Sequence, residues 1–133
     1  MSVIDFVPKK AAGKILAVCA GRVIGQPKRS VGQGQLLKNF GLSGDCDTGP
    51  GSTQLVLLSQ TGPISPQGPK AAGGYGSRGE NLAITLDLSP FPPGTRLRSQ
   101  DALIELTGRD PPLYTARVIL PGIVTEGDPI VVE

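Results

Sequence analysis

Cys46 is the first residue that invites a chemical reading. It lies in Gly44-Asp45-Cys46-Asp47-Thr48-Gly49, a loop bounded by glycines. A thiol must ionise before it attacks or carries sulfur, and a nearby cation or helix N-terminus favours that step. Asp45 and Asp47 flank it instead, and their charge disfavours the thiolate. A reactive thiol and an incidental loop thiol are the two readings of Cys46. Asp45 and Asp47 as a carboxylate pair for metal or acid–base work compete with turn capping, the commoner use of Asp-x-Asp among glycines. Calcium needs a longer ligand set than this loop offers, so no metal site is expected. Cys19, in the aliphatic run Lys14-Ile15-Leu16-Ala17-Val18-Cys19-Ala20, reads as a small buried hydrophobe.

Arg78, Glu80 and Asn81 form a second cluster after a glycine-rich stretch. Successive backbone N–H groups beside an arginine can cradle an anion, and a phosphate group suits such a place. A turn with Asn81 bonded to backbone and Glu80 solvated is the competing reading. Arg22, Lys28 and Arg29 add positive charge or simply make a solvated face. Arg96, Arg98, Glu105 and Arg117 fall on expected strands as solvent-facing positions. Arg109 and Asp110 occupy a loop before Pro111-Pro112, where they contact a ligand or only shape a turn.

Composition narrows the chemistry further. The 133 residues include no histidine, so the usual general base and the commonest metal ligand are missing. Two cysteines without CxxC spacing cannot make a four-ligand zinc site. A net charge of +2, without a basic run, gives no case for nucleic acid. No signal peptide is visible, and no apolar run approaches the ~20 residues of a membrane span. The cytoplasm, with reduced thiols, is the expected location.

These residues must be held by a β-rich scaffold. Glycine (19) and proline (13) punctuate short aliphatic runs, and aromatics make up only 4% of the chain. The core is therefore aliphatic and the strands short. Residues 1–13 read as an N-terminal arm and residues 14–133 as one domain. Strands are expected at 14–20, 54–59, 82–86, 95–98, 102–107, 115–120 and 129–132, with a short helical turn at 35–40 and a long loop at 61–79. Residues 54–59 are apolar at consecutive positions, which implies burial on both faces. About seven short strands and no long helix point to a sandwich or a closed barrel.

The order of several segments is more specific. Asn39-Phe40-Gly41-Leu42-Ser43-Gly44-Asp45 precedes Gln54-Leu55-Val56-Leu57-Leu58-Ser59; then come Gly79-Glu80-Asn81-Leu82, Pro93-Gly94-Thr95-Arg96-Leu97, Ala102 to Gly108, and Gly127-Asp128-Pro129. From about Lys14 to Val132 this resembles the MOSC domain of molybdenum cofactor sulfurases and small standalone bacterial proteins. The resemblance implies a mainly β, MOSC-like β-barrel and a role in molybdenum cofactor or sulfur metabolism. It places a ligand of the molybdopterin type near Arg78, Glu80, Asn81, Asp45 and Arg109, and makes a cysteine desulfurase or a molybdoenzyme the expected partner. The family's pyridoxal phosphate belongs to a separate domain and is not expected here. The family's carrier cysteine falls near Leu113 and is absent, and the histidine of its Gly-Asp-x-His-x-Gly loop is replaced by Asp47. Three functions remain: binding of the cofactor or of a sulfur-carrying partner, sulfur transfer through Cys46, and a non-catalytic interaction module.

Overall fold

Short aliphatic runs broken by turn residues pair into strands along the whole described chain. The computed structural model describes residues 11–46, 48–60 and 74–133. Eleven strands are present: β1 (Ala12–Ala20), β2 (Arg29–Ser30), β3 (Gln33–Leu37), β4 (Gly41–Leu42), β5 (Leu55–Ser59), β6 (Leu82–Ile84), β7 (Arg96–Ser99), β8 (Ala102–Asp110), β9 (Leu113–Leu120), β10 (Gly122–Thr125) and β11 (Pro129–Val132). The main sheet runs β11-β7-β8-β9-β5-β6-β1-β2, and β1 also pairs with β11. That last pairing closes the sheet on itself. The fold is a closed, mixed, seven-stranded β-barrel. Only β5 and β6 pair in parallel; the other barrel pairs are antiparallel. A small sheet, β10-β3-β4, packs beside it.

The pairings fix two rims. β1, β7 and β9 run in one direction and β5, β6, β8 and β11 in the other. We call the end where β1, β7 and β9 finish the lower rim, and the opposite end the upper rim.

Alternation sorts side chains between the barrel interior and its outer face. Ile15, Val18, Leu57, Leu82, Ile84 and Leu106 fill the interior, with Tyr114 as its one fully enclosed aromatic among the described residues. Burying each leucine or isoleucine is worth roughly 1.5–3 kcal/mol. Residues 54–59 are indeed buried on both sides: Leu55 and Leu57 face inward, while Leu58 joins an outer cluster with Ala17, Cys19 and Ala83. Ala102, Ile104 and Leu106 alternate into the core as the pattern predicts.

Three local expectations need correction. Residues 35–40 form no helical turn. They belong to β3 and to the tight reversal before β4, where Asn39 takes φ 56°. Gln33 and Gln35 point outward and Leu36 inward at strand spacing, and pairing with β10 and β4 overrides local helix preference. No strand is expected between 120 and 129, yet Gly122 opens β10 opposite Leu36. β1 begins at Ala12 and not at Lys14, because Gly13 has no side chain and lets Leu86 approach; a Cβ there would lie 2.6 Å from the Leu86 nitrogen. Residues 1–10 of the expected arm, residues 61–73 of the expected loop, and Asp47 lie outside the described residues. Among the described residues no helix is long and apolar enough to cross a membrane.

Candidate functional site

The lower rim gathers three glycine-rich turns: the tip of the β1–β2 hairpin, the loop between β4 and β5, and the turn that leads into β6. Asp45 ties all three together. Its Oδ1 accepts the Gly21 N–H at 3.0 Å. Its Oδ2 accepts Lys28 Nζ and Asn81 Nδ2, each at 3.0 Å. The Lys28–Asp45 ion pair is enclosed, with side chains 1% and 0% exposed. Burial pushes the Asp45 carboxyl up, but the Gly21 N–H, the Asn81 amide and the Lys28 ammonium outweigh it and hold the group below its ordinary value of 3.8.

Asn81 is wholly buried and its amide is used by the fold. Nδ2 also donates to the Cys19 carbonyl at 3.2 Å, and Oδ1 accepts the Val56 N–H at 3.0 Å. Its backbone donates to Val56 and accepts from Cys19. One residue thus joins β1, β5 and the Asp45 loop. Glu80 is 1% exposed, contrary to a solvated turn glutamate; its Oε1 accepts the Arg78 N–H at 3.0 Å. Lys28 N–H reaches the Gly76 carbonyl at 2.9 Å, and Cys46 N–H reaches the Gly21 carbonyl at 2.8 Å.

The structure therefore brings Asp45, Glu80, Asn81, Arg78 and Cys46 to one rim and leaves Arg109 out. Arg109 lies near the end of β8 at the upper rim, where its Nη1 donates to the Ser89 carbonyl at 3.0 Å. Asp45 and Asn81 serve as anchors and offer no group outward. Arg78, exposed, and Cys46, half-exposed, are what the cluster presents to solvent, together with exposed Arg22. Among the described residues no group of three or more His, Cys, Asp or Glu could hold a metal ion.

Cys46 lies away from the position near Leu113 where the resemblance places a cysteine. Leu113 opens β9 at the upper rim, opposite Leu58, whereas Cys46 follows Asp45 at the lower rim. β5, which spans the interval, is five residues long, about 15 Å. Leu113 packs instead on the outer cluster of Ala17, Cys19, Leu58 and Ala83, as does Tyr75. Cys19 is completely buried there, and its thiol is pushed up to about 12, first by burial and then by the charges of Glu80 and Glu126, with Lys28 acting the other way. Iodoacetamide is expected to label only Cys46 in the native protein, with Cys19 reacting once the chain is unfolded; peptide mapping by mass spectrometry reads the result.

Three residues escaped the sequence reading. Lys28 was placed among surface cations, but it is the enclosed partner of Asp45, 17 residues away. A lysine is buried only when paired, and nothing local announces a partner at that distance. Gln54 is wholly buried, with Nε2 on Asn39 Oδ1 and the Gly51 carbonyl and Oε1 on the Val118 N–H. Its position at the start of an apolar run was the available signal. Glu126 accepts from the Ser30 hydroxyl and the Val18 N–H, linking the hairpin to the β10–β11 turn.

No protein-family model matches the chain, and no curated protein matches it. Solved structures do. The chain is similar to the YUAD protein from Bacillus subtilis, with a TM-score of 0.71 and 16% identity over 93% of this chain and 97% of that one. It is also similar to a protein described only as hypothetical, with a TM-score of 0.68 and 18% identity over 98% of this chain and 71% of that one. At these identities the likeness establishes a shared barrel fold.

Proposed function

We propose that this chain is a MOSC-type binding protein of molybdenum cofactor or sulfur metabolism, and that the lower-rim loops hold a phosphorylated pterin of the molybdopterin type. The observation that carries the reading is the Asp45–Lys28–Asn81 anchor. It fixes three glycine-rich turns in one place and leaves Arg22 and Arg78 exposed beside them. An exposed arginine such as Arg78 beside anchored loops suits a phosphate. The barrel fold and the order of the Gly-Glu-Asn-Leu and Pro-Gly-Thr-Arg-Leu segments support the same reading. Binding fits better than catalysis, because Leu113 stands where the carrier cysteine is expected and Cys46 lies at the other rim. Titration with molybdopterin is expected to show binding that weakens about tenfold or more in Arg78→Ala. No binding at high micromolar concentration would sink the proposal.

A second reading makes Cys46 a persulfide carrier, favoured by its partial exposure and its pinned backbone. It predicts that incubation with a cysteine desulfurase and cysteine adds one sulfur to the intact mass. The addition must vanish in Cys46→Ser; an unchanged wild-type mass removes this reading and leaves the binding one in place.

A further inference from the structure

The lower rim carries a projecting tip and a groove of complementary chemistry. The tip is the β1–β2 hairpin turn. Gln26 N–H donates to the Val23 carbonyl at 3.2 Å, and Gly25, at φ 85°, makes the corner beside Ile24. Ile24 is 75% exposed and Val23 58%. Turn corners favour small or polar residues, and nothing in this turn requires an aliphatic side chain. The tip is also rigidly mounted, because Gly21 and Lys28 at its two feet both bond to Asp45. Arg22 and Arg29 are exposed beside it, and among the described residues neither forms an ion pair. Charge is unevenly spread along the chain: residues 6–44 hold seven of its 13 cationic side chains and none of its 11 acids.

The groove, of about 420 Å³, opens where β7 and β9 end. Its apolar part is Pro121 and Ile123, the latter 51% exposed. Asp101 and Asp128 stand among its lining residues, and no cation does. It has the volume of an ordinary binding site, and the hairpin tip of the same copy does not line it.

We propose that two copies of this chain associate through their lower rims. Each inserts Val23 and Ile24 into the other's groove, with Arg22 and Arg29 meeting Asp101 and Asp128. Because tip and groove share one rim, a two-fold axis satisfies both contacts at once and closes the assembly at a dimer. Apolar contact supplies affinity, and the charges set the register and the choice of partner. The association needs no ligand.

Sedimentation equilibrium of the full chain tests this between about 1 and 200 µM, a range that brackets a weak dimer. The expected mass rises from 13.7 kDa toward twice that value. Ile24→Asp is expected to stay monomeric while unfolding at the wild-type temperature at concentrations where the wild type is itself monomeric. The doubly reversed variants R22E/R29E and D101R/D128R should each be monomeric alone and form a heterodimer when mixed, since both exchanged contacts then pair opposite charges. A wild-type chain that stays monomeric overturns the proposal. So does a dimer indifferent to Ile24→Asp, or a mixture that fails to associate.

Discussion

Asp45→Ala is expected to lower stability by about 3–5 kcal/mol, the usual cost of removing one member of a buried ion pair. The loss follows from what Asp45 touches. Lys28 loses a carboxylate at 3.0 Å in an enclosed place, and the Gly21 N–H and one Asn81 amide contact lose their acceptor. Thermal unfolding should fall by roughly 10 °C or more. The pH dependence gives an independent check. The folded Asp45 carboxyl is held below its ordinary value of 3.8, so its contribution is fully present above that value. It is lost as pH falls through the folded value. Wild-type stability should therefore drop below about pH 4, and Asp45→Asn should flatten that part of the curve. Glu105, held low by Arg96 and then by Arg117, supplies a residual slope. An Asp45→Ala protein as stable as wild type would remove the anchor from the account of this rim.

Gly76→Ala is the second large effect. Gly76 sits at φ 93°, where an L side chain costs about 1–2 kcal/mol. A Cβ there would also lie 2.3 Å from the Lys28 carbonyl oxygen and 2.6 Å from its carbon. Both are backbone atoms, so the turn itself must move away from the hairpin. The expected total is about 2–5 kcal/mol. Gly79→Ala separates the two causes. It has a similar φ, 86°, but nothing within 4 Å of the added carbon, so it should cost only the conformational part. Chemical denaturation of both variants measures the difference; equal losses would show that the close approach does not matter.

The barrel was legible in the sequence because its strands obey simple patterns. Residues 102–107 alternate, residues 54–59 are continuously apolar, and glycine or proline marks most of the breaks. β10 was missed because a Pro-Gly pair resembles a turn, and here the glycine is also the first residue of the strand. Gln35 to Leu37 looked helical because it is short and lacks β-branched residues; its longer partner strand, β10, lies far away in sequence. Grouping Asp45 with Glu80 and Asn81 followed from segment order and agrees with the folded arrangement. The role of Asp45 and Asn81 did not follow, because a buried anchor and a ligand-binding group use the same polar residues. Only the partners tell them apart, and the decisive ones are distant in sequence: Lys28 from Asp45, and the Cys19 carbonyl from Asn81. Arg109 was misgrouped for a related reason. Sequence order brings it close to the resemblance's expected cysteine but says nothing of which end of the barrel that position occupies.

Barrel closure depends on β1 meeting β11, with Ala12 opposite Val131. The first and last strands of the described chain must therefore find each other for the sheet to lose its edges. Pairings of such high sequence separation form slowly. During synthesis, β1 has left the ribosome long before β11 is made. Until then the growing chain holds an open sheet with an unpaired edge, the kind of surface that attracts other strands. Closure of the barrel thus waits on four residues, Pro129–Val132.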